Sequence, residues 1–276
     1  MQLSDFGLRI LALPPKLAEA MKDPDDTAFV LGDSKSGEVK ASAFSTTHWS
    51  IVQGAGQDDP AGAAVALERL CRIYWFPIYA FIRRRGSSQH DAEDSTQGFF
   101  AHLLEKESFK KLDRQKGKFR SFMLAALTNF LNNEWDKRQT LKRGGKIQII
   151  SLDETRAEEL YTREPVDSLT PEKLFERRWA FAVVDRVLAR LKQEYATADK
   201  LKLFEALERG LTREVTLEVC AEWGVALEMT EGAVKAALHR LRRHYGELLR
   251  EEIAQTVTTP EELDEEIRHL CAAMAG

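Results

Sequence analysis

The chain has 276 residues, enough for one large domain or two small ones, and its 43% hydrophobic and 30% charged content is ordinary for a soluble globular protein. Only 16 glycines and 8 prolines speak against a strand-and-turn architecture. The three cysteines (Cys71, Cys220, Cys271) are too few and too scattered for a disulfide framework or a metal site, and read as small core residues in a reducing compartment. The formal net charge is -4, a sum that hides how the charge is distributed along the chain.

In chain order, residues 1–44 read as an irregular arm, because DPDD and GDSKSGEVKAS carry breakers and polar residues without periodicity. The early run FGLRILAL is short and ends at Pro14-Pro15. It makes a poor signal peptide, no run is long enough to cross a membrane, and a cytoplasmic location is expected. Order is expected from TTHWSIV, with Thr46 or Thr47 as a helix cap. Leu67, Leu70, Cys71, Tyr74, Ile78 and Phe81 then recur at helical spacing, with Pro77 predicted to kink the run or start a new turn, and Arg83-Arg84-Arg85-Gly86 as its stop.

SSQHDAEDSTQGFFAHLL opens with a capping box of Ser88 and Asp91. KESFKKLDRQKGK reads as a lysine-rich loop. Phe119, Phe122, Met123, Ala126, Leu127, Phe130, Leu131 and Trp135 then mark a long helix to about Arg143. Residues 147–170 form an acidic linker with two arginines against six acids. Thr170-Pro171 starts a helix whose buried face is Phe175, Trp179, Ala182, Val183, Val187 and Leu191. A short helix around VTLEVCAEW precedes TEGAVKAALHRLRRHYGELLR, capped by Thr230, with Val234, Leu238, Leu241, Tyr245 and Leu248 on one side. Glu231, Lys235, His239, Arg242 and Arg243 fall on the other, where Gly232 and Ala236 permit close approach. Thr259-Pro260-Glu261-Glu262 caps a final amphipathic helix along Leu263, Ile267, Leu270 and Met274.

The charge is unevenly spread. Residues 104–146 hold twelve basic and five acidic side chains, and residues 234–250 hold five and one. Residues 251–276 reverse this, with seven acids and one arginine. Two basic zones in an acidic chain suggest two contacts with a polyanion. The expected fold is all-α, with two helical domains joined by a linker. The second is a helix-turn-helix (winged-helix-like) DNA-binding domain, whose second helix would enter the major groove. The expected boundaries are 1–44 for the arm, 45–146 for the first domain, 147–170 for the linker, 171–256 for the second domain and 257–276 for an acidic amphipathic tail.

DAEDSTQGFFAHLLEK, GKFRSFMLAALTNFLNNEWDKR and TEGAVKAALHRLRRHYGELLREEI, in this order across roughly residues 45 to 256, resemble extracytoplasmic-function sigma factors of bacterial RNA polymerase, in the sigma-70 superfamily. The resemblance implies a promoter-specificity subunit without enzymatic activity, cofactor or metal, whose partners are core polymerase and promoter DNA. Asp91, Glu93, Asp94, Gln97 and Phe100 would then meet a basic coiled coil of the polymerase. Lys118, Arg120, Asn129, Asn132, Asn133, Lys137 and Arg138 would take the melted minus-ten element, with KESFKKLDRQKGK cradling an unstacked base. Thr230, Glu231, Lys235, His239, Arg242 and Arg243 would read the minus-thirty-five element. Regulation is expected from an anti-sigma protein or from the tail, folded back on the basic recognition helix. The chain departs from the family at Thr216, where an aromatic is common, and at Val225–Glu228, which reads as about four extra residues before the recognition helix. Either the turn is longer or the preceding helix extends. A stand-alone helix-turn-helix regulator is the alternative function.

Overall fold

The computed structural model describes residues 60–104, 118–140, 154–162, 169–211, 215–257 and 259–275. The expected arm, TTHWSIV and nearly all of KESFKKLDRQKGK lie outside these residues. The described residues are helical, with no strand among them: α1 (Pro60–Arg84), α2 (Gln89–Leu104), α3 (Phe119–Thr140), α4 (Glu154–Thr162), α5 (Pro171–Thr197), α6 (Leu201–Leu207) with a 3-10 turn (Glu208–Leu211), α7 (Leu217–Leu227), α8 (Glu231–Ala254) and α9 (Pro260–Ala275). None is long and apolar enough to cross a membrane.

Local chemistry explains the helix ends. Ser88 Oγ accepts from the Asp91 amide at 3.2 Å, Thr170 Oγ1 from Lys173 at 3.3 Å, Thr230 Oγ1 from Ala233 at 3.3 Å and Thr259 Oγ1 from Glu262 at 3.4 Å. Thr216, where the family resemblance expects an aromatic, caps α7 through the Val219 amide. Gly86 closes α1 at a φ of 94°, which a side chain would resist. Helix α1 runs through Pro77 as one element, so the proline removes a donor without ending the helix.

The chain forms two compact units. In one, the described parts of residues 40–182 join residues 254–274. Its core is aromatic, with Tyr74, Phe99, Phe119, Phe175 and Trp179 fully buried, joined by Leu263, Ile267, Leu270 and Met274 of α9. The acidic linker contains structure that its composition does not announce. Arg83 of α1 donates to both carboxylate oxygens of Glu158 on α4, at 3.0 and 2.6 Å, and the Tyr79 hydroxyl donates to the same group. Tyr161 lies under the Arg83 guanidinium, 4.9 Å from the ring centroid. The bonds from Arg83, more than those from Tyr79, hold the Glu158 carboxyl below its ordinary pKa.

The other unit takes residues 183–253, with Val187, Leu191, Phe204, Cys220, Val234, Leu241, Tyr245 and Leu249 in its core. Gly210 is needed there, because a Cβ would stand 2.8 Å from Leu238 Cδ1 and 3.0 Å from Trp223 Cη2. The division between units falls inside the continuous helix α5, between Ala182 and Val183, and not at the linker. The physical reason is the length of α5, whose apolar face supplies Leu174, Phe175 and Trp179 to one core and Val187 and Leu191 to the other.

Candidate nucleic-acid interface

The geometry before α8 decides between the two readings of Val225–Glu228. Val225, Ala226 and Leu227 extend α7, and only Glu228, Met229 and Thr230 separate it from α8. Glu228 takes a left-handed conformation at φ 54°, its amide donating to Val225 O at 3.4 Å, while the Met229 amide donates to Gly224 O at 2.8 Å. This is the double carbonyl closure that usually has glycine at the left-handed position. Here glycine sits at 224 instead, where a Cβ would meet Met229 O at 2.8 Å.

Helix α8 presents Thr230, Glu231, Lys235, His239 and Arg243 to solvent, as the sequence predicts, with Gly232 and Ala236 beside them. A Cβ on Gly232 would meet nothing within 4 Å. Arg240, outside the polar face read from the sequence, is also exposed. Glu231 pairs with Lys235, and Arg243 pairs with Glu247 at 3.5 Å. Arg242 differs from the expectation. It flanks the apolar stripe, is partly buried, and donates through Nε (3.0 Å) and Nη2 (2.7 Å) to Gly210 O. Burial lowers its pKa from the ordinary arginine value. It buttresses α8 against the 3-10 turn.

On α3, Ser121, Ala125, Asn129, Asn132 and Asn133 form one exposed stripe without charge. Lys137 and Arg138 continue the helix, but their side chains lie outside the described residues. A depression of about 430 Å³ adjoins the stripe, between Thr128 and Asn129 on α3 and Glu172 and Glu176 on α5.

The expected role of Arg120 is not what the structure shows. The residue is 5% exposed, at helical spacing with the buried Met123 and Leu127. Its Nε donates to Glu266 Oε1 at 3.0 Å and its Nη1 to Glu176 Oε1 at 2.6 Å, and its guanidinium lies 5.2 Å from the Trp179 ring centroid. Lys118 pairs with Glu265 at 3.2 Å and Glu266 at 3.4 Å. Glu265 and Glu266 of α9 thus meet Lys118 and Arg120 at the start of α3. Glu251 and Glu252, counted with the tail by composition, belong to α8 and pair with Arg190 (2.8 Å) and Arg186 (2.9 Å).

On α2, the expected acidic face separates into two sets. Asp91 and Asp94 are exposed and Gln97 is partly exposed, with Asp91 accepting from the Ser88 hydroxyl at 2.6 Å and Asp94 3.6 Å from His90. Glu93 is 8% exposed, on the buried side with Ala92 and Thr96, and accepts from Gln89 at 2.9 Å. Phe100 is 1% exposed and packs edge-on against Phe99 in the core. Neither Glu93 nor Phe100 presents a surface for a partner in this arrangement. Among the described residues, no group of three His, Cys, Asp or Glu side chains is placed to hold a metal ion. Comparison of the chain with protein-family models, curated proteins and solved structures finds no match.

Proposed function

We propose that the chain is a promoter-specificity subunit of bacterial RNA polymerase, of the extracytoplasmic-function sigma type. The observation that carries this reading is the exposed side of α8. It is small at Gly232 and Ala236 and cationic at Lys235, Arg240 and Arg243, behind a three-residue turn from α7. That is the surface a recognition helix needs to approach bases with its first turns and phosphates with its later ones. The asparagine stripe of α3 supports the second half of the reading. Amide groups without net charge suit the exposed edges of melted bases better than a duplex backbone. Asp91, Asp94 and Gln97 are the α2 residues left to meet a basic polymerase surface.

In this mechanism the polymerase is engaged by α2, duplex DNA is read by α8, and the separated strand is held along α3. The test is reconstitution with core polymerase and run-off transcription from a library of genomic promoter fragments. The full chain binds core polymerase and starts transcripts at a shared promoter motif, and Asp94→Arg weakens polymerase binding at least about tenfold. A chain that binds palindromic duplex DNA without polymerase and tolerates Asp94→Arg is a stand-alone regulator, and the sigma reading falls.

A further inference from the structure

We infer that α9 is a built-in cover over the cations at the start of α3, and that single-stranded nucleic acid and α9 compete for Lys118 and Arg120. The inference rests on the assignment of α3 to single-stranded DNA and adds a regulator to that site. Three observations in one unit point to it. The first is the seat of Glu266, which is 0% exposed although it is a carboxylate. It lies on the apolar side of α9, between Leu263, Ile267 and Leu270, and turns both oxygens to α3. The second is the backbone. The Phe119 amide, at the first residue of α3, donates to Thr256 O at 3.1 Å, so the segment leading into α9 occupies the helix end that would otherwise receive a phosphate.

The third is the sign of the local charge. With α9 seated, Glu176, Glu265 and Glu266 surround Lys118 and Arg120, three carboxylates against two cations. Without α9 the same place holds two cations against Glu176, with Glu172 beside it in the depression that Arg120 also lines. The helix therefore adds two carboxylates to a place of balanced charge and makes it phosphate-repelling, and it occupies both cations while it does so. His269 of α9, 3.4 Å from Glu176, lies at the edge of the cluster. A helix held by a buried ion cluster and an apolar stripe does not leave unaided. The energy to lift it has to come from a partner that binds the uncovered state better, as docking on polymerase would supply.

The experiment compares three forms of the chain: unaltered, truncated after Thr258, and carrying Glu265→Gln with Glu266→Gln. The probe is a fluorescein-labelled oligothymidylate of about 16 nucleotides, read by anisotropy over a salt series. The truncated chain binds at least about tenfold tighter than the unaltered chain, with a salt slope steeper by about 1.4, the value for two added phosphate contacts. The glutamine pair shifts in the same direction, and Arg120→Gln in the truncated chain cancels the gain. Hydrogen exchange on the unaltered chain reads the same competition without a variant, and saturating probe speeds exchange across residues 263–274. Equal affinity and slope in all three forms, absence of binding included, overturn the cover, as does unchanged exchange while probe is bound. If truncation unfolds the chain, the glutamine pair and the exchange measurement decide. Polymerase binding is read separately. A chain that binds polymerase but shows no competition loses the cover and keeps the sigma reading, and competition without polymerase binding does the reverse.

Discussion

Arg120 and Lys235 are both cations that the sequence reading assigns to DNA, and their surroundings are opposite. Lys235 stands on the open side of α8, beside Gly232 and Ala236, and its partner Glu231 is a half-exposed neighbour one turn away. Arg120 is enclosed by Glu176, Glu266 and Trp179, contributed by α5 and α9. A surface pair such as Glu231–Lys235 contributes little and yields readily to a phosphate. A buried pair is held by its neighbours' inability to lose it, since either charge left alone inside the protein is costly. The difference teaches that an internal partner withdraws a cation from a polyanion when the pair is buried, and leaves it available when the pair lies at the surface.

The sharpest way to break this comparison is Arg120→Ala. It leaves Glu266 buried without its main partner and is expected to destabilise the chain by about 3–5 kcal/mol, measured by urea unfolding. Arg120→Met with Glu266→Leu removes both charges and recovers most of that loss. A destabilisation by the double change as large as by the single one shows that packing, and not the buried charge, sets the cost. Next in size is Gly210→Ala, which forces Leu238 and Trp223 aside where α8 meets the 3-10 turn. It costs about 1–3 kcal/mol and disturbs the seat of α8 without altering any charge. Duplex affinity weakened by Gly210→Ala as much as by a lysine change identifies the position of α8 as the limiting feature.

Smaller effects test the local devices. Glu228→Gly relieves the left-handed position after α7 and is expected to stabilise by about 0.5–1 kcal/mol in thermal melts. Lys235→Ala changes stability by less than about 0.5 kcal/mol, yet lowers duplex affinity and reduces the salt slope by about 1. A large stability loss at Lys235 would place it with Arg120.

Acid tests the docking of α4. Because Arg83 holds the Glu158 pKa below the unfolded value, stability from this contact is complete above the ordinary carboxylate value of 4.5. It is lost as pH falls through the lowered folded value. The protection of residues 154–162 against hydrogen exchange, taken relative to the intrinsic rate at each pH, is expected to fall in acid, and Arg83→Gln to remove that dependence.

Helix positions and starts are legible because their causes are local. Ser88, Thr170, Thr230 and Thr259 each sit one residue before a helix and four before its first buried residue, and each accepts the amide three residues on. The exposed side of α8 follows from its period for the same reason. The all-helical class, the asparagine stripe of α3 and the polar start of α2 are likewise in the residues. Part of the remainder was written in the sequence at helical spacing. Arg120 stands three and seven residues from Met123 and Leu127, and Glu266 three and four from Leu263 and Leu270, so two opposite charges on two apolar stripes could have been paired. Glu93 and Phe100 share the side of Ala92 and Thr96 in the same way.

Which carboxylate closes on which cation was decided by the tertiary structure. Glu266 and Arg120 are 146 residues apart, and nothing in local spacing says that this acid of α9 meets α3. The end of α7 at Leu227 is closed by the Met229 amide on the Gly224 carbonyl, at a glycine where a Cβ would crowd the Met229 oxygen at 2.8 Å. Sequence by itself determined where this chain is helical and which faces carry charge, because backbone and period act within a few residues. The fold alone determined which of those charges remain available, because burial is a property of what arrives from elsewhere in the chain.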